Sequence, residues 1–194
     1  MNTTVYDVKV TFITPVLGTQ PQKNVASEYL AAKFAENAGQ LPDDEIDTLP
    51  EMVEKGTTVF HRLNGEPILY DYQIKGFIKE AGRIFNGLHN VKALRSKIDN
   101  LVFVTPRQIE LHLPDGAKTD YLERPLRAET AQGPRVALAR SEMLPEGTWF
   151  KIRLEVYDGQ VTDDLLRDLF TYGCHKGLGQ WRNGGYGRFE FEFV

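Results

Sequence analysis

Apolar and polar positions alternate most regularly over residues 149–156, WFKIRLEV. There Phe150, Ile152, Leu154 and Val156 interleave with Lys151, Arg153 and Glu155. A period of two is the mark of a strand with one buried face. The same alternation predicts strands over 6–13, with Val8, Val10 and Phe12 on one side, and over 188–194, with Phe189, Phe191 and Phe193 inward. Further strands are expected over 57–63, 98–104 and 108–113, and an extended run from Pro67 to Tyr70 follows an Asn64-Gly65 tight turn. The period changes to a helical one over 71–88, where Ile74, Phe77, Ile78, Ala81, Ile84 and Phe85 fall on one face. A second helix is expected after Thr162, with Leu165, Leu166, Leu169 and Phe170 apolar and Asp163 and Asp164 in its first turn. A third is expected over 25–38, capped by Asn24. Residues 91–97 read as helix or turn, and 120–125 as extended and irregular. This order predicts an α+β fold: a ferredoxin-like antiparallel sheet with helices on one face. The chain reads as a single domain over 1–194, with residues 19–56 an insertion projecting from it.

Two stretches stand outside core-building patterns. Residues 177–189, GLGQWRNGGYGRF, hold five glycines together with Trp181, Arg182, Tyr186 and Arg188. Glycines permit positive φ and close backbone approach. A phosphate cradle and a turn-making connection are both consistent with this run. On the 71–88 helix, Lys75, Lys79 and Arg83 recur every four residues and form one basic stripe. Gly76 and Gly82 weaken that helix, and one reason for them is close approach by another backbone.

Charge and composition narrow the possibilities. The 194 residues carry a formal net charge of -4, which does not favour a nucleic-acid binder. The acidic excess lies in the first 60 residues, so a basic surface elsewhere is compatible with the total. One cysteine, Cys174, excludes an internal disulfide. With no basic-then-apolar pattern at the N-terminus and no long apolar run, a cytoplasmic protein without membrane contact is the expectation. Metalloprotease, Walker A and nucleophile-elbow motifs are absent. The four histidines are not at metal-ligand spacing from one another, and no metal or cofactor is expected. Asp43, Asp44, Glu45 and Asp47 read as a solvated acidic loop. His175, opening onto the glycine run, is the weak candidate for acid–base chemistry, with helix cap or surface residue as the plainer reading.

The glycine spacing carries a resemblance. Gly177-Leu178-Gly179, five residues, then Gly185-Tyr186-Gly187 resembles the C-terminal glycine-rich loop of the repeat-associated mysterious protein (RAMP) superfamily, the RNA-binding proteins of CRISPR systems. Three other places agree in order. Pro15-Val16-Leu17-Gly18 follows the first strand. Residues 60–83, FHRLNGEPILYDYQIKGFIKEAGR, resemble the family's Gly-x-Pro-x-Ile…Lys…Arg region, with Tyr70-Asp71-Tyr72-Gln73 replacing its Pro-Gly-Ser-Ser turn. Residues 135–140, RVALAR, and 144–150, LPEGTWF, resemble its Arg-rich segment and the Pro-x-Gly-Thr-x-Phe start of a strand. The chain is most similar to the backbone subunits of type III effector complexes. That resemblance implies a modified ferredoxin-like core with a thumb-like insertion at 19–56. It implies binding of single-stranded, guide-type RNA without cleavage, and partners that are copies of itself or related subunits. The expected RNA contacts are Lys75, Lys79, Arg83, Arg135, Arg140, Gly177, Gly179, Trp181, Arg182, Gly185, Tyr186, Gly187 and Arg188. Some relatives cleave RNA with an early-loop aspartate and a divalent metal, but residues 14–27 contain no carboxylate. An RNA endonuclease and an interaction or structural module that has lost RNA binding, host-encoded or virus-borne, stay as the alternatives.

Overall fold

The structure is a computed structural model that describes residues 3–22, 57–130, 133–157 and 159–194, with the backbone alone for 126–130 and 133–137. In chain order these residues form β1 (Thr3–Phe12), β2 (Val16–Leu17), β3 (Gln20–Pro21), β4 (Thr57–Val59), β5 (His61–Leu63) and β6 (Glu66–Tyr70). Helix α1 (Asp71–Ile84) and helix α2 (Leu94–Leu101) come next. Then follow β7 (Val102–Thr105), β8 (Gln108–Glu110), β9 (Asp120–Thr130), β10 (Gly133–Leu144), β11 (Trp149–Tyr157), α3 (Asp163–Lys176) and β12 (Phe189–Phe193). The chain divides into two compact units, one of residues 1–17, 61–118 and 144–194, the other of 18–60 and 119–143.

The first unit holds a four-stranded sheet in the order β12-β1-β11-β7, every neighbour antiparallel. Taken along the chain, β1, β7, β11 and β12 stand in the order 4-1-3-2. Helices fill the connections β1 to β7 and β11 to β12, as in a ferredoxin-like βαββαβ arrangement. The alternation seen in the sequence sets the buried face. Val8, Val10 and Phe12 of β1 and Phe150, Ile152, Leu154 and Val156 of β11 are all buried. Phe189 is buried as expected, while Phe191 and Phe193 are half-buried against the ring of Phe170.

Three aromatic rings lock α1, α3 and β12 together. Phe77 meets Phe170 edge-on at 5.2 Å and Phe189 at 5.8 Å. Each such pair adds about 0.5–1.5 kcal/mol beyond its burial. Gly173 lets them converge, because a Cβ there would lie 2.5 Å from Phe77 and 2.7 Å from Phe189. This junction fixes both α1, which carries the basic stripe, and the start of the glycine-rich loop. A small sheet β5-β6-β8 lies ahead of α1, and its hairpin turns at Asn64-Gly65, both with positive φ.

Several expectations are corrected. Residues 57–63 are two strands, not one, and the chain leaves the first at Phe60, whose N–H donates to the buried carboxylate of Glu142 at 2.9 Å. The 71–88 helix ends at Ile84, where the chain turns toward positive φ at Gly87. Ile98 to Leu101 belong to α2 rather than to a strand, and Ile98 is buried with Leu94 on one face of that helix. Strand β8 stops at Glu110, and His112 instead forms a single bridge with Trp149. In the second unit, the irregular segment expected over 120–125 belongs to β9. This strand pairs antiparallel with β10 from Thr130↔Gly133 to Asp120↔Met143, with Pro125 half-way along β9. β10 also pairs parallel with β4, which pairs with β3. The expected 25–38 helix, the acidic 43–47 loop and most of the 19–56 insertion lie outside the described residues.

Candidate nucleic-acid interface

Helix α1 begins where Tyr70 is extended and its N–H donates to the Gln73 side chain at 2.8 Å, half of a capping box. Asp71 occupies the first turn, favourable to the helix dipole, and lies 3.3 Å from Arg107. Its inner face buries Ile74, Phe77, Ile78 and Ala81. The polar face looks onto α2, and the two helices approach at Gly82. A Cβ there would strike the Ile98 side chain, while the Arg95 backbone lies at an ordinary 3.5 Å, so Gly82 makes room for a side chain of α2 rather than for the expected backbone. Gly76 meets neither: it is exposed with nothing within 4 Å of its Cβ position.

Between the helices runs a groove of about 570 Å³, lined by Tyr72, Lys75, Gly76, Lys79, Glu80, Arg83, Arg95 and Asp99. The whole basic stripe therefore faces one cavity, but its members are used differently. Lys75 donates to the carbonyl of Ile98 at 2.7 Å and to that of Val102, closing the C-terminal turn of α2. Burial lowers its ammonium from the ordinary lysine value, with Asp99 opposing and Lys79 adding to the shift. Lys79 pairs with Asp99 at 2.8 Å. That bond, together with the charges of Lys79, Lys75 and Arg95, holds the Asp99 carboxyl below the usual range despite desolvation pushing the other way. Among the described residues, Arg83 forms no ion pair, and it projects into the groove beside Arg95.

The glycine-rich loop leaves α3 at Gly177 and folds back on itself. Leu178 donates to the Gly187 carbonyl at 2.9 Å, and Gly187 to that of Pro15 at 2.8 Å. A Cβ at Gly177 would sit 2.6 Å from the Tyr186 carbonyl, one at Gly179 2.6 Å from that of Leu17, and one at Gly187 would strike the Leu178 carbonyl. These three glycines are accounted for by the chain's own backbone. Gly185 differs: its Cβ would meet nothing within 4 Å, and its φ of +87 alone selects glycine. The side chain of Thr14 braces the loop, donating to the Gly185 carbonyl at 3.0 Å and accepting from the Arg188 N–H at 2.9 Å.

Trp181, 44% exposed, stacks on Tyr186 with ring centroids 5.1 Å apart and 14° between planes. It is not packed into the sheet. Arg182 reaches back to the α1 face and donates to Glu80 at 2.9 Å, while Lys176 lies 4.0 Å from the same carboxylate. Glu80 thus joins the loop to the groove. The exposed side chain of Arg188 marks the loop's exit. Arg140 lies in the second unit, 4.1 Å over the Tyr121 ring and 3.4 Å from Glu123. Arg135 is on β10 of that unit, opposite Ala128.

His175 is exposed in the last turn of α3, and Cys174 beside it is half-buried. Burial pushes the Cys174 thiol up to about 11, so it is not activated as a nucleophile. Among the described residues no three His, Cys, Asp or Glu side chains gather as metal ligands, and no helix is long and apolar enough to cross a membrane. The sequence pattern did not single out Tyr72, Glu80, Arg95 or Asp99. Arg95 lies in the segment read as helix or turn and Asp99 in the strand expected over 98–104, so the pattern did not put them on one helix, and Glu80 meets Arg182 across 102 positions, a pairing with no local signal.

No family model and no curated protein matches this chain. Among solved structures, it is similar to a chain in the cryo-EM structure of the type III-B Cmr-beta bound to cognate target RNA, with a TM-score of 0.53. Identity is 14%, so the likeness is one of fold alone: α+β, with a ferredoxin-like antiparallel sheet. The match covers 99% of this chain and 61% of that one, so this chain spans less than two thirds of its neighbour's length.

Proposed function

We propose that this protein binds single-stranded RNA without cleaving it, as a subunit of a CRISPR-type ribonucleoprotein assembly. The observation that carries the reading is the groove between α1 and α2. It gathers Lys75, Lys79, Arg83 and Arg95 in a chain whose net charge is -4. Concentrating cations on one face of an acidic protein is what a phosphate backbone requires. Arg182 and Lys176, held by Glu80, continue that face toward the stacked Trp181 and Tyr186. The strand would be held largely through its backbone, with the aromatic pair available to a base. The fold likeness supports the assembly part of the reading, since the neighbour belongs to a complex bound to cognate target RNA. Guide-type RNA and head-to-tail copies or related subunits are the corresponding ligand and partners. The 19–56 segment is the place for a thumb-like element.

Binding of labelled single-stranded RNA, followed by anisotropy at low and at physiological salt, tests the proposal. Salt-sensitive binding is expected, together with intact RNA after prolonged incubation with and without Mg²⁺. Binding that is absent at low salt, or indifferent to salt, overturns it.

A further inference from the structure

We infer that Tyr72 and Gly76 form a nucleobase step at the head of the basic groove: one base of a single strand stacks on the Tyr72 ring and lies over Gly76, while its phosphates follow Arg83 and Arg95. The inference rests on the RNA reading above and adds a base contact separate from the Trp181–Tyr186 pair of the glycine-rich loop.

Three observations converge on it. First, Tyr72 is a prebuilt stacking surface. It remains 51% exposed, and its ring lies parallel to that of Tyr70, 5.4 Å away with 13° between planes. Tyr70 in turn is fixed: His61 packs edge-on at 4.8 Å, and the Arg107 guanidinium sits 5.9 Å over the ring while pairing with Asp71. A ring backed by a fixed ring loses little freedom when a base settles on it, which favours stacking.

Second, Gly76 follows Tyr72 by four positions, so the two share a helix face. A glycine inside a helix is unfavourable relative to alanine. Gly82 has a structural reason in its contact with α2, whereas Gly76 has no atom within 4 Å of its Cβ position and lines the cavity. The missing side chain leaves open the space above the helix next to the Tyr72 ring. Third, the same cavity continues past Gly76 to Lys79, Arg83 and Arg95. An aromatic ring, a vacant step and a row of cations occur in the order that one nucleotide of a single strand would need.

The test compares labelled oligoadenylate with an abasic ribose-phosphate strand of equal length, in wild type and in three variants. Wild type should bind the strand with bases more tightly. Tyr72→Ala should weaken oligoadenylate binding by roughly 5- to 150-fold, the range of one stacked base, without changing abasic binding or the salt slope. Tyr72→Phe should behave as wild type. Gly76→Leu, which suits a helix, should fold at least as stably and still lose affinity for oligoadenylate. If wild type binds both strands equally, or Tyr72→Ala keeps the full wild-type preference for bases, the step is refuted while the RNA reading stands. If neither strand binds in a salt-dependent manner, both fall together.

Discussion

Replacing Glu80 by Gln should strengthen RNA binding rather than weaken it. Glu80 is a carboxylate in the wall of a basic groove, and it holds Arg182 at 2.9 Å and Lys176 at 4.0 Å. Gln preserves the size and a hydrogen-bond acceptor for Arg182 while removing the charge. A phosphate passing about 6 Å from that carboxylate is repelled by roughly 0.7 kcal/mol in a water-like dielectric, or about threefold in affinity. The effective dielectric near a protein surface would raise this figure, but salt screening in an open groove keeps it near the lower bound. Held by a neutral acceptor instead of a charge, Arg182 exchanges readily to a phosphate, which should steepen the salt slope by about 0.7 for a single strand. The loss of fold stability should be small, since a partly exposed pair contributes about 0–1 kcal/mol. Anisotropy titrations across salt and urea unfolding of the same preparations measure the two effects. Arg182→Ala should cost more affinity in the Glu80→Gln background than in wild type, the coupling expected if the carboxylate masks the arginine. An affinity that falls or stays constant in Glu80→Gln would show that phosphates do not pass this face.

Other substitutions separate scaffold from site. Lys75→Met should destabilise the fold by about 1–3 kcal/mol, because the Ile98 and Val102 carbonyls lose a charged donor, and should leave the salt slope of RNA binding nearly unchanged. Gly173→Ala should lower the urea midpoint: crowding against Phe77 and Phe189 costs about 1–3 kcal/mol, more than the roughly 1 kcal/mol that alanine returns in helix propensity. Gly187→Ala should destabilise by about 1–3 kcal/mol through positive φ and collision with the Leu178 carbonyl, whether or not RNA is present, and thermal unfolding would show it. Acid should also weaken the fold. Asp7 is held below its ordinary value first by its hydrogen bond from Arg153, and Asp99 first by that from Lys79. Their stabilisation is complete above the unfolded carboxyl pKa of about 3.9 and is lost as pH falls through the lower folded values, so urea midpoints should drop as pH falls below about 4, less so in Asp7→Asn and Asp99→Asn.

Much of the scaffold was legible because a single repeating period dictates it. The alternation in 149–156 and the face made by Leu165, Leu166, Leu169 and Phe170 each determine burial directly, and those residues are buried. The 120–144 hairpin was less visible. Pro125 and four arginines interrupt its alternation, and pairing along its length, rather than pattern, makes the strands. The site was legible in part for a related reason. Lys75, Lys79 and Arg83 share a helix face by spacing alone, and they do line one groove. Their partners come from tertiary contacts. The sequence does not reveal that Lys75 caps α2, that Lys79 is paired with Asp99, or that Arg182 folds back to Glu80. The glycine spacing was readable as a loop, while the physical reason for it lies largely within the chain: Gly177, Gly179 and Gly187 sit against the carbonyls of Tyr186, Leu17 and Leu178.

The central claim is that the α1–α2 groove binds the backbone of a single strand, and Arg83 and Arg95 are its most direct reporters. The decisive measurement is the salt dependence of single-stranded RNA affinity for wild type and for Arg83→Ala/Arg95→Ala. The account predicts tight, salt-sensitive binding by wild type. It predicts a double variant that unfolds at the same urea concentration, binds more weakly at every salt concentration, and has a slope shallower by about 1.4, the loss of two phosphate contacts. A double variant with the affinity and slope of wild type would contradict it.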